Sequence, residues 1–166
     1  YDHRNLGDSD GEPRQEINIW AQARDYRRAF DWLAQRPQVD PARIGIWGSS
    51  FSGGEVIVVG ACDRRVRAVV ANVPFASLPD TEQRLADPFA FAAIRAALLD
   101  ESGGGPADAA GEATGPLAVV PEEGVDLPPF LAFPEASEWF LRAGADPGAG
   151  WHNRVTLRNC FGTVPT

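Results

Sequence analysis

The segment from Arg43 to Val73, RIGIWGSSFSGGEVIVVGACDRRVRAVVANV, limits the fold more than any other part of the chain. Ile44 to Trp47 is a short apolar run stopped by Gly48, and Val66 to Val73 is a second one. Neither alternates polar with apolar residues, which is the pattern of a strand covered on both faces, as parallel sheets require. Phe51 to Ala61, between them, can form a helix. Two parallel strands need a crossover, and a helix there gives a right-handed strand, helix, strand succession. The segment therefore predicts an α/β unit.

Upstream, Ile19, Ala23, Tyr26, Phe30 and Leu33 recur at spacings of four and three, which predicts a helix from about Ile17 to Gln35 with one apolar stripe. Gln22, Asp25, Arg28 and Gln35 fall largely on the other side. Arg36-Pro37 ends the helix, because proline disfavours helical geometry in the residue before it, and QVDPAR makes a turn. The stretch DHRNLGDSDG, Asp2 to Gly11, is rich in turn formers and follows Tyr1, read as the last residue of a strand. Asp2, Asp8 and Asp63 read as turn residues, since aspartate bonds its own nearby backbone.

A serine held between a strand and a helix can sit on a tight turn that lifts its hydroxyl above the sheet edge, where the helix offers its first amides to a developing oxyanion. Small neighbours are a steric condition. Gly48, two positions before Ser50, and Gly53, three after, meet it. Ser50 is the candidate nucleophile and the amide of Phe51 a candidate oxyanion donor. The competing reading is that Ser49 or Ser50 merely caps the following helix. The flanking strand, helix and second strand favour the nucleophile.

DHRNLGDSDGEPR, VDPARIGIWGSSFSGG and DRRVRAVVANVPF together resemble the central part of an α/β-hydrolase, of the dienelactone-hydrolase-like and Xaa-Pro-dipeptidyl-peptidase-like branch. The resemblance covers about Tyr1 to Phe75. Ser52 stands where the usual Gly-x-Ser-x-Gly turn has its second glycine, with Gly53 following, as in a Gly-x-Ser-x-x-Gly variant. The resemblance implies a partial α/β-hydrolase fold: residues 1–75 as the core with the nucleophile turn, and residues 76–166 as a cap- or lid-like region. It also implies a serine hydrolase acting on a small-molecule ester or amide, with acid and histidine on loops after later strands and a second oxyanion donor from an earlier loop, upstream of Tyr1.

Only His3 and His152 are present. His3 precedes the serine, against the order the resemblance implies, and two strand spacings of about 9 to 10 Å would separate their backbones, so it reads as a structural residue near the turn. His152 lies in GWHNRVTLRN, a stretch with helical character, and reads as an ordinary surface or packing residue. Among acids, Asp80 follows the second apolar run, but Asp87, Asp100, Asp108 and Asp126 are equally available. Without a histidine the serine is not efficiently deprotonated, which keeps a second function in view: a non-catalytic truncated module or pseudoenzyme with a binding role.

In the remainder, Pro88 to Leu99 and Pro134 to Ala143 predict helices, the latter with proline at its first position and Gly144 just past its end. ESGGGPADAAGEATGP, residues 101–116, predicts a flexible linker. Phe89, Phe91, Phe130, Phe133, Trp139 and Phe140 could line an acyl or aromatic pocket, though aromatics at helical spacing are more often core.

Composition closes other classes. A formal charge of −8, with only Arg27-Arg28 and Arg64-Arg65 as basic pairs, argues against nucleic acid. No apolar run approaches bilayer length. Cys62 and Cys160 have neither metal nor redox spacing and suit a reduced compartment; a cytoplasmic location, no cofactor and no metal are expected. The 166 residues contain no methionine and begin with Tyr1, which reads as a fragment whose open strand edges favour aggregation.

Overall fold

The structure is a computed structural model that describes residues 1–75, 99, 113–146, 148 and 150–158. The chain divides into two compact units, Tyr1–Ile17 with Glu112–Arg158, and Asn18–Gly111 with Asn159–Thr166.

In the second unit, helix α1 (Ile19–Ala34) starts where the Asn18 side chain accepts hydrogen bonds from the amides of Trp20 (3.2 Å) and Ala21 (3.3 Å). Those are two of the donors that a helix start leaves without partners. Ala23 and Phe30 are buried as the apolar stripe requires, while Arg28 and Gln35 are exposed. Gln22 departs from expectation: all of Ala21–Arg24 is buried, so the first turns are covered on more than one side. A short turn of helix, Pro41–Arg43, is capped by Asp40, which accepts from the Ala42 amide at 2.9 Å.

Strand β2 (Gly45–Ser49) then leads into α2 (Phe51–Cys62) and β3 (Ala68–Asn72). β2 and β3 pair in parallel, from Gly45 opposite Ala68 to Ser49 opposite Asn72. Both strands lie one or two residues from their expected limits. The core of this unit joins Ala23 of α1 to Val59 and Cys62 of α2, with Tyr26, Ile46, Val58 and Val66 packed against it. The other side of the pair is open: Trp47 and Val70, opposite each other in register, are 61% and 55% exposed.

Asp63 closes the α2–β3 connection. Its carboxylate accepts from the Arg65 amide (3.2 Å), from Arg65 Nε (2.9 Å) and Nη2 (2.6 Å), and from Arg27 Nε of α1 (3.1 Å). The turn role read from sequence holds, and the arginines hold its carboxyl well below the usual carboxylate range, the Arg65 hydrogen bond being the largest cause.

The first unit is built on a three-stranded sheet of order β1 (Glu16–Asn18), β5 (Val155–Arg158), β4 (Ala113–Leu117). β4 and β5 are antiparallel, with an irregularity between Thr114 and Leu117 where Gly115 and Pro116 fall. Arg158 Nε and Nη2 each lie 3.1 Å from the Glu16 carboxylate.

Three sequence expectations are corrected here. Val155–Arg158 is a strand and not helical: Val155 and Leu157 are buried and alternate with half-buried Thr156 and Arg158, a period of two. The expected linker 101–116 ends in a strand, since Ala113–Leu117 pairs with β5 despite its glycine and proline. Tyr1 is not in a strand. Helix α3 (Pro134–Gly144) runs one residue further than expected and buries none of its residues. Phe133 and Trp139 are 56% and 57% exposed, so they are not plain core; Phe140 stacks on Trp151 at 6.0 Å. The expected helix Pro88 to Leu99, apart from helical Leu99, and Phe89, Phe91 and Cys160 lie outside the described residues. Among the described residues, no helix is long and apolar enough to cross a membrane.

Candidate active site

Ser50 occupies the single residue between β2 and α2, at φ 56° and ψ −116°. A residue bearing a Cβ is rarely found there, and holding it costs on the order of 1–3 kcal/mol. Three backbone hydrogen bonds enforce it. The Ser50 amide donates to the Asn72 carbonyl (2.9 Å), and the Ser50 carbonyl accepts from the amides of Phe75 (2.8 Å) and Gly54 (3.3 Å). Glycines make the crossing close: a Cβ on Gly48 would overlap the Ser52 carbonyl, one on Gly54 the Phe75 carbonyl, and one on Gly53 would sit 2.9 Å from Pro74 Cα.

The position leaves Ser50 exposed at the carboxyl end of β2. Although Ser50 is the N-cap residue of α2, its side chain makes no capping hydrogen bond. Ser49 does not cap either: its hydroxyl accepts from Asn72 Nδ2 at 3.1 Å. The capping reading therefore fails for both serines. Phe51 is the first residue of α2, and its amide is one that the helix itself does not use. Its ring stacks on Phe75 at 5.9 Å.

Beneath the turn lies a polar group that the sequence reading missed. Glu55, on α2, has no exposed surface, and burial pushes its carboxyl up to about 8, with the charge of Asp25 of α1 adding to the rise. Tyr26 of α1, whose phenol is raised mainly by burial, donates to the Trp47 carbonyl at 3.1 Å. The signal was available as one carboxylate in an otherwise apolar helix, FSGGEVIVVGAC.

The other candidates belong to the first unit or lie outside the described residues. The His3 carbonyl accepts from the Leu6 amide (3.2 Å) and its ring packs edge-on to Tyr1 at 5.2 Å, a turn role. Asp2 accepts from the Asp8 amide at 3.0 Å, again in the turn. Gln15 holds the backbone of His152 from both sides, donating to its carbonyl (2.7 Å) and accepting from its amide (2.8 Å), and the residue is exposed. Asp126 is exposed; Asp80, Asp87, Asp100 and Asp108 lie outside the described residues. Among the described residues, no three His, Cys, Asp or Glu side chains are grouped to hold a metal.

Residues 21–87 match the acetyl xylan esterase family. The chain is 41% identical over 75 residues to the quorum-quenching protein AidA of Acinetobacter baumannii, covering 45% of this chain and 25% of that protein. It is 39% identical over 87 residues to the thiohydrolase aneE of Aspergillus aculeatus, covering 52% and 27%. Among solved structures, the alpha/beta hydrolase GrgF from Penicillium sp. sh18 aligns with a TM-score of 0.56 and 29% identity, over 94% of this chain and 50% of that one. The matched segment thus spans about a quarter of the curated relatives.

Proposed function

The chain carries part of an α/β-hydrolase fold, and from that premise we propose that it is the nucleophile-bearing part of a serine hydrolase acting on small-molecule acyl esters. The observation that carries the reading is the Ser50 turn: an exposed hydroxyl held at positive φ between a parallel strand and a helix start, with no capping task. Ser50 Oγ attacks the substrate carbonyl carbon, and the Phe51 amide donates to the oxygen as it gains charge. The acyl group passes to Ser50 and the alcohol or thiol leaves. Water then releases the acid. The family match to an esterase and the thiohydrolase relative support an ester or thioester over an amide.

A second reading is kept by one observation: the unit that holds Ser50 contains no histidine. A general base is needed to take the Ser50 proton, and without one the chain is a non-catalytic hydrolase-fold module with a binding role. A fluorophosphonate probe separates the two. Labelling of the folded chain that disappears in Ser50→Ala and in heat-unfolded wild type supports the hydrolase. A chain that is folded by circular dichroism and takes no label supports the binding module.

A further inference from the structure

The two ends of the Ser50–Phe51 peptide are used differently. Its carbonyl accepts from the amides of Phe75 (2.8 Å) and Gly54 (3.3 Å), while its N–H, that of Phe51, is not used by α2. The Phe75 amide thus fixes the plane of the peptide that carries the oxyanion donor. Phe51 and Phe75 also meet through their side chains: the rings stack at 5.9 Å with 28° between their planes, and both residues are half-buried.

Two backbone bonds tie the end of β3 to Ser50, one to the Asn72 carbonyl and one from the Phe75 amide, and Val73 and Pro74 lie between them. Val73 has φ 43° and is 79% exposed. A β-branched residue is a true outlier at such an angle. Strain of this kind persists where the surroundings enforce it, and it gathers at ligand sites. Gly53 and Gly54 enforce it here, because without a Cβ they let Pro74 and Phe75 lie against the first turn of α2. No residue from Ser49 to Ser52 or from Asn72 to Phe75 is charged.

We propose that Phe51, Val73 and Phe75 form the acyl subsite of the Ser50 centre and select an apolar acyl chain over an acetyl group. The proposal rests on the reading of Ser50 as nucleophile. It gives the strained, exposed Val73 and the stacked rings one task, which is to offer uncharged apolar surface beside the reacting serine. A fully buried methylene is worth about fourfold in binding, so contact on one side gives about twofold each and about tenfold for the four that separate hexanoyl from acetyl.

The test labels the folded 166-residue chain with two phosphonofluoridates that differ only in a methyl or a pentyl group on phosphorus. Ser50 Oγ bonds to phosphorus as fluoride and the serine proton leave, and the alkyl group stands in for the acyl chain. The pentyl probe should label about tenfold faster, and Val73→Gly and Phe75→Ala should each bring that ratio below about threefold. A merely disturbed turn would slow both probes alike and keep the ratio. Equal rates in wild type, or a ratio kept by either folded variant, overturn the subsite and leave the hydrolase reading standing. If the variants do not fold, the wild-type ratio decides alone. If wild type takes no label, NMR of ring-labelled phenylalanine decides; the chain has nine, and Phe75→Leu assigns the signal. Methyl hexanoate that shifts the Phe75 ring where methyl acetate does not keeps the subsite and loses the nucleophile, and no shift overturns both.

Discussion

The backbone amide of Ser50 donates to the carbonyl of Asn72 across 2.9 Å, one residue beyond the end of β2. The parallel ladder therefore continues into the turn, and the left-handed conformation of Ser50 is fixed by its neighbour strand and not by its own preference. Glycine adopts that conformation without a Cβ penalty. Ser50→Gly should raise stability by about 1 kcal/mol, and Ser50→Val should lower it by about 2 kcal/mol. Urea denaturation midpoints of the two variants check both signs.

Gly48 faces the Ser52 carbonyl and Gly54 the Phe75 carbonyl, backbone groups that cannot rotate away. Gly48→Ala and Gly54→Ala should each cost about 2–4 kcal/mol by forcing β2 and α2 apart. A Cβ on Gly148 meets nothing nearer than 3.4 Å, so Gly148→Ala should be nearly silent. Thermal melting by circular dichroism distinguishes the three.

Asp63 holds two arginines from a buried site, Arg27 and Arg65. Asp63→Ala leaves both guanidinium groups without that acceptor and should cost about 3–5 kcal/mol. Its folded pKa lies below the ordinary 3.8, so the stabilisation is complete above the unfolded value and is lost as pH falls through the lower folded one. Denaturation midpoints of wild type should therefore drop below about pH 4, and those of Asp63→Asn should lack that part of the fall.

Glu55 works in the opposite sense. Its carboxyl rises from 4.5 to about 8 on folding, so the folded chain keeps a proton that the unfolded chain releases. Stability is full below the unfolded pKa and declines as pH climbs between the two values, by up to about 1.4 kcal/mol per unit. Denaturant titrations at pH 5, 6, 7 and 8 should show this slope in wild type and lose it in Glu55→Gln.

The α/β unit was legible in the sequence because its elements carry strong local signals. β2 and β3 each centre on a short apolar run, α1 has a five-residue apolar stripe, and Gly48 and Gly53 mark the crowded turn. The three-stranded sheet was not legible. β1 has three residues, β4 contains Gly115 and Pro116, and β5 offers a period of two over four residues only, too short to compete with a helical reading. Its pairing partners are also far apart in sequence. Glu55 was overlooked because the apolar character of α2 hides what one carboxylate does inside it.

The bridge between Glu16 and Arg158 joins residues 142 positions apart. A polypeptide leaves the ribosome from its amino end, so β1 emerges well before its partner β5, the last described segment. The β2–α2–β3 segment, whose strands are separated by one helix, can assemble long before that. Contacts of such long range are slow to form, and during the delay the lone β1 edge is a target for foreign strands. Chaperone capture of the nascent chain is most useful in that interval.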